Sequence, residues 1–163
     1  MNVFLSSPTL LKKAHYRVTR NSVGNAIHTW AGVGLRDECA RIMRGQRHGE
    51  PTGSARLMGA YNLPADYVLH TVGPIVTGRL TARDEAALAS CYRSCMALAA
   101  ERDIDSVAFC CISTGEFHFP NDRAAQIAVE TVRMFRCENK TAPEVIFNVF
   151  QDDDFRRYRR LLG

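Results

Sequence analysis

"FCCISTGEFHFPND", residues 109–122, is the stretch from which the rest of the chain is best read. Extended leftward it becomes "SVAFCCI", a short apolar run bounded by turn signals, the pattern of a buried strand whose neighbours point to opposite faces of a sheet. Ser113, Thr114 and Gly115 make a turn. Pro120 then opens a helix that places Ala124, Ile127, Ala128, Val132 and Phe135 on one face. In open α/β sheets ligands bind beyond the carboxyl ends of the strands, so this turn is a candidate site.

Three chemistries compete for it. A cysteine phosphatase closes its thiolate loop on an arginine six residues on, but six residues after Cys110 and Cys111 stand Glu116 and Phe117. A metal needs convergent ligands, and adjacent residues on a strand diverge; His118 alone does not supply a set. The third reading is an anion cradle made of backbone amides around "STG", which needs no lysine and has none. Phe117 would add an apolar wall. A simple strand-to-helix turn has the same composition, so the motif by itself is weakly specific.

Outward from this unit the chain alternates. "NAIHTWAGVGLRDECARIM" carries Ile27, Trp30, Leu35, Cys39 and Ile42 at helical spacing, with a break expected at Gly32 and Gly34. A short strand is expected near Ala55 to Met58, and "DYVLHTV" is a second, stopped by Gly73 and Pro74. Residues 81–103 form a long helix with Thr81 as N-cap and Asp84 in capping-box position. "EVIFNVF" is the last strand, with Asn148 and Phe150 at its end, and a helix spans roughly Asp153 to Leu162. Continuous apolar strands between amphipathic helices indicate an α/β sandwich with its sheet covered on both faces. The first 24 residues show no convincing periodicity and are set apart from a domain over 25–163.

Composition fits that class. The 163 residues, 46% hydrophobic and 23% charged, match one ordinary globular domain. No apolar run reaches membrane-spanning length. The N-terminal stretch lacks the apolar core and cleavage site of a secretion signal, so the expected location is the cytoplasm. Six cysteines without a CxxC, several on apolar faces, read as free thiols in a reducing compartment. The net charge of +4 is concentrated in Arg156, Arg157, Arg159 and Arg160. Asp152, Asp153 and Asp154 precede them and blunt the field, which favours a solvated helix face over a nucleic-acid stripe.

Taken together, "GNAIHTWAG", "PTGSARLMGAYNLPADYVLHTVGP", "LASCYRSCMALAAERDIDSVAFCCISTGEFHFP" and "VIFNVF" resemble the macrodomains, which bind ADP-ribose. "AGVGLRDEC", "EPTG" and "CYRSC" are most similar to the zinc-containing bacterial macrodomains, which remove ADP-ribose from modified proteins. The resemblance implies a three-layer α/β/α sandwich with a mixed central sheet. It assigns Ser113, Thr114, Gly115, Glu116 and Phe117 to the loop around the diphosphate and distal ribose. Asn148 and Phe150 fall at the adenine and its ribose, and Asn25, Ala26 and Ile27 at a helix start facing the phosphates, where a helix dipole meets an anion. ADP-ribose or an ADP-ribosylated protein is the implied partner.

The N-terminal segment departs from that family. "LSSPTLLKK" stands where an asparagine-rich motif is expected, and a strand at the adenine-side edge of the sheet has no counterpart. The zinc-ligand positions hold His15, Arg20 and Ser22, and the helix-start aspartate is Gly24. A guanidinium and a hydroxyl do not replace two thiolates, so no zinc or other cofactor is expected. Two origins stay open for this segment: a shifted or truncated reading frame upstream of about Ser22, or divergence. The implied function is an ADP-ribosyl hydrolase if its catalytic half is intact. The alternatives are a non-catalytic reader or inactive remnant, and then a basic nucleic-acid-binding domain.

Overall fold

A computed structural model describes residues 3–6, 23–46 and 48–163; for 3–6 and 23–25 it describes the backbone alone. The elements run β1 (Val3–Ser6), α1 (Val23–Ala31), α2 (Val33–Arg44), β2 (Ala55–Gly59), β3 (Tyr67–Thr71), α3 (Ala82–Glu101), β4 (Ser106–Phe109), α4 (Asn121–Glu138), β5 (Glu144–Asn148) and α5 (Asp152–Leu162). From α1 onward this is the order expected from periodicity. Two elements reach into the segment set apart in the sequence: β1, and the first turn of α1. The edge strand expected to have no counterpart is therefore present in part. β1 runs parallel to β5, from Val3 beside Val145 to Ser6 beside Asn148.

The strands form two ladders. β1, β5 and β4 make a parallel three-stranded sheet in that order, and β2 and β3 an antiparallel pair. Both orientations of a mixed sheet are present, and among the described residues no ladder joins β4 to the hairpin. The fold is an α/β sandwich, with its larger core between the parallel sheet and the long helices. Val107, Phe109, Val145 and Phe147 face Leu88, Tyr92, Met96, Ala128 and Val132 there, and Tyr158 of α5 joins them. Phe109 and Phe147 lie 6.5 Å apart and Phe147 and Tyr158 4.8 Å apart, centroid to centroid. On β4 the buried strand read from sequence is half right: Val107 and Phe109 are buried, whereas Ser106 and Ala108 are exposed. A second, smaller cluster of Ala31, Leu35, Met58, Ala60 and Val68 joins α1 and α2 to the hairpin.

Local signals explain the boundaries. Thr81 Oγ1 accepts from the Asp84 amide at 3.3 Å while the Thr81 amide donates to the Asp84 carboxylate at 3.0 Å, a complete capping box at the start of α3. The break between α1 and α2 falls at Gly32, whose φ of +83° suits glycine and ends the helix. The Cβ of any residue replacing Gly34 would lie 2.4 Å from the Tyr61 ring, so there close packing rather than backbone freedom requires glycine. No helix among the described residues is long and apolar enough to cross a membrane.

Candidate functional site

The parallel pairing of β4 with β5 brings two chain segments to one end of the sheet. Phe109 lies beside Phe147, so the turn that follows β4 and the Asn148–Phe150 end of β5 emerge together. β4 stops at Phe109, three residues earlier than the apolar run suggested, and Cys110 and Cys111 lie beyond it. Contrary to the expectation from sequence, Cys110 and Cys111 therefore do not diverge as neighbours on a strand. What disqualifies them as nucleophiles is burial, which pushes both thiols up, that of Cys111 to about 12. Among the described residues all the cysteines are free thiols.

The turn itself is held in a specific way. Ser113 and His118 adopt φ of +64° and +55°, a left-handed conformation that non-glycine residues hold at a cost. Four carbonyls are used to fix it. Cys111 O accepts from Thr114 Oγ1 at 3.1 Å, and Ser113 O from the Phe119 amide at 3.0 Å. Gly115 O accepts from the His118 amide at 3.1 Å, and Phe117 O from the Val76 amide at 2.9 Å. No acceptor among the described residues takes the amides of Thr114, Gly115, Glu116 and Phe117. The carbonyls of Cys111, Ser113, Gly115 and Phe117 are thus engaged, the last by Val76 outside the turn, while the N–H groups of residues 114–117 stay available, which is the polarity of an anion-binding nest. A Cβ on Gly115 would meet nothing within 4 Å, so the centre of this amide row borders open space. Fully buried Phe119 anchors the far side, and half-buried Phe117 flanks the opening.

Gly73 supports the turn from beneath, a role that a glycine after a strand did not reveal in the sequence. A Cβ there would stand 2.1 Å from Ser113 Oγ and 2.9 Å from Ile112 Cγ2. The Ser113 hydroxyl is buried and makes no hydrogen bond. Asn148 is half-buried at the end of β5, and Phe150 projects two residues further on with 67% of its surface exposed. Of the remaining expected residues, Ala26 and Ile27 lie on α1, where Ile27 packs against the smaller cluster around Leu35 and Met58. Asn25 is in the same helix, but its side chain lies outside the described residues, as do the zinc-ligand positions His15, Arg20 and Ser22. The first turn of α1 holds no acidic residue.

The arginines at the other end of the chain are largely neutralised. Arg157 bonds Asp122 at 3.0 Å and Asp154 at 3.1 Å, Arg160 lies 3.7 Å from Asp122, and Arg156 pairs with Asp153. A surface depression of about 650 Å³ beside them is lined by the four arginines with Asp122, Asp153 and Gly163.

The model of the Macro domain family matches residues 15–128. The chain belongs to the macro domain family. It is 54% identical over 141 residues to a protein-ADP-ribose hydrolase of Treponema medium, covering 86% of this chain and 54% of the relative. With a protein-ADP-ribose hydrolase of Staphylococcus aureus it shares 44% over 148 residues, covering 90% and 56%. The macro domain therefore spans about half the length of the curated relatives it matches. Among solved structures it resembles the Trypanosoma brucei macrodomain in complex with ADP-ribose. There the TM-score is 0.77 and the identity 38%, over 88% of this chain and 57% of that one.

Proposed function

We propose that this macro domain binds ADP-ribose with its diphosphate on the amides of Thr114, Gly115, Glu116 and Phe117. The observation that carries the reading is the one-sided use of hydrogen bonds in that turn, with carbonyls engaged and N–H groups open. A diphosphate brings dispersed negative charge and several acceptor oxygens, which suits a row of amides better than a single cation does. Phe117 offers a face to the distal ribose, and Phe150, exposed at the end of β5, a face to the adenine. The Trypanosoma brucei relative is a macrodomain in complex with ADP-ribose, which supports the ligand class.

The names of the bacterial relatives support a reaction as well: hydrolytic removal of ADP-ribose from a modified protein. A second reading is a reader that binds the modification and leaves it in place. It is favoured by the first turn of α1, which offers no carboxylate that could activate water. The residue types at the zinc-ligand positions, one imidazole, one guanidinium and one hydroxyl, do not fit a zinc site, and no step is routed through one.

Isothermal calorimetry with ADP-ribose tests the binding. Gly115→Glu places a carboxylate in the open space where the diphosphate would sit, so affinity falls at least a hundredfold while the fold stays intact. Wild-type affinity in that variant would remove the cradle. Release of ADP-ribose from a modified substrate then separates hydrolase from reader.

A further inference from the structure

Three elements aim a metal-binding side chain at one point. His28 comes from the last turn of α1, Cys39 from α2, and His70 from β3. One ligand atom of each lies within 4.8 Å of the other two. The two imidazoles meet edge to face, with ring centroids 5.5 Å apart and planes at 82°. His28 Nδ1 is buried and has no hydrogen-bond partner, a donor or acceptor position that a protein interior rarely leaves open. Beside them the Cys39 thiol donates to the buried Met58 thioether at 3.6 Å.

We infer that His28, Cys39 and His70 form a structural site for one zinc ion, with the Met58 sulfur or a water completing a tetrahedron. Two imidazoles and a thiolate are zinc's preferred ligand types, and the distances ask little of them. Zinc ligands stand about 3.3–3.6 Å from one another, given bonds of about 2.0–2.3 Å. Rotations of the three side chains close the remaining gap. On binding, the thiol proton of Cys39 passes to solvent as the sulfur–zinc bond forms, so one proton is released per ion.

The location gives the ion a purpose. α1 has nine residues, too few to be stable alone, and the cluster joining it to α2 and the hairpin holds five buried residues. A metal tying α1, α2 and β3 together would clamp the part of the fold with the smallest core. None of its three residues is among His15, Arg20 and Ser22, the positions behind the expectation of no zinc.

The test uses the full chain, freed of metal by a chelator and titrated with zinc chloride against a chromophoric competitor. One zinc per chain is expected, with release of one proton and a rise in Tm. Affinity should fall at least tenfold in Cys39→Ser and in His70→Gln, and stay unchanged in Cys137→Ser, which removes an exposed thiol. In the wild-type chain zinc should protect Cys39 from iodoacetamide, read by mass spectrometry, and this arm does not depend on any variant folding. Four results would each overturn the site: no stoichiometric uptake, full affinity in Cys39→Ser and His70→Gln, loss of uptake in Cys137→Ser, or equal alkylation of Cys39 with and without zinc.

Discussion

Replacing Gly73 by alanine tests how the end of β3 and the cradle depend on each other. The added methyl group would lie 2.1 Å from Ser113 Oγ, 2.9 Å from Ile112 Cγ2 and 3.4 Å from Ser113 Cβ, in a buried position. The hydroxyl can swing aside, but the serine Cβ and the isoleucine methyl cannot do so without moving the turn. Overpacking of this kind costs about 1–3 kcal/mol. Because the displaced atoms belong to Ser113, affinity for ADP-ribose should fall at least fivefold as well. Ser113→Gly supplies the control. It removes the left-handed strain of a residue at φ +64°, roughly 1–2 kcal/mol, and an unpaired buried hydroxyl. Against this stands the greater freedom of glycine in the unfolded chain, about 0.5–1 kcal/mol. Ser113→Gly alone should therefore be neutral or mildly stabilising, and it keeps the backbone amides that bind. In that background the 2.1 Å clash with Ser113 Oγ is gone and Ile112 Cγ2 at 2.9 Å remains, so the cost of Gly73→Ala should shrink by about 1 kcal/mol or more, a coupling that a double-mutant cycle in urea resolves. Equal costs in the two backgrounds, or none in either, would refute the packing argument.

Glu50 accepts from Gln46 and Ser54 at 2.8 Å each and from Arg56, and the Arg56 bond foremost lowers its carboxyl to about 2. The carboxyl is depressed in the fold, so its contribution is present above the ordinary 4.5 and is lost as pH falls toward about 2. Glu50→Gln should cost about 1–2 kcal/mol at pH 7, after allowance for the half-exposed Arg56. The gap between variant and wild-type urea midpoints should narrow across that acid window, and a gap constant with pH would count against the ion pair. Thr81→Ala removes the side-chain half of the α3 capping box and should lower stability by about 1 kcal/mol in chemical denaturation, without touching ADP-ribose affinity. Phe150→Ala should do the reverse. An aromatic ring with 67% of its surface exposed adds little to the core, so stability should change by less than about 0.5 kcal/mol while calorimetric affinity drops severalfold.

Much of this was legible in one dimension because the signals are local. Thr81 and Asp84 announce a helix start three residues apart, Gly32 breaks a helical pattern, and the apolar runs around Val107 and Val145 mark the strands. Where β4 ends was not legible. Cys110, Cys111 and Ile112 are as apolar as the strand before them, and only the onset of the turn decides that they leave the ladder. β1 was missed because four residues are too short to establish a period, and its position comes from pairing with β5.

The amino-acid sequence by itself determined the class of fold, the order of its elements from α1 onward and the turn most suited to an anion. Periodicity, caps and glycine turns are properties of neighbours along the chain. Only the tertiary structure decided which groups of that turn are free to bind, because carbonyl and amide use depends on partners as distant as Val76. It alone placed Gly73 under Ser113, and it alone gathered His28, Cys39 and His70 from two helices and a strand. Contacts between residues far apart in sequence leave no period and no spacing to read; they exist once the chain has closed on itself.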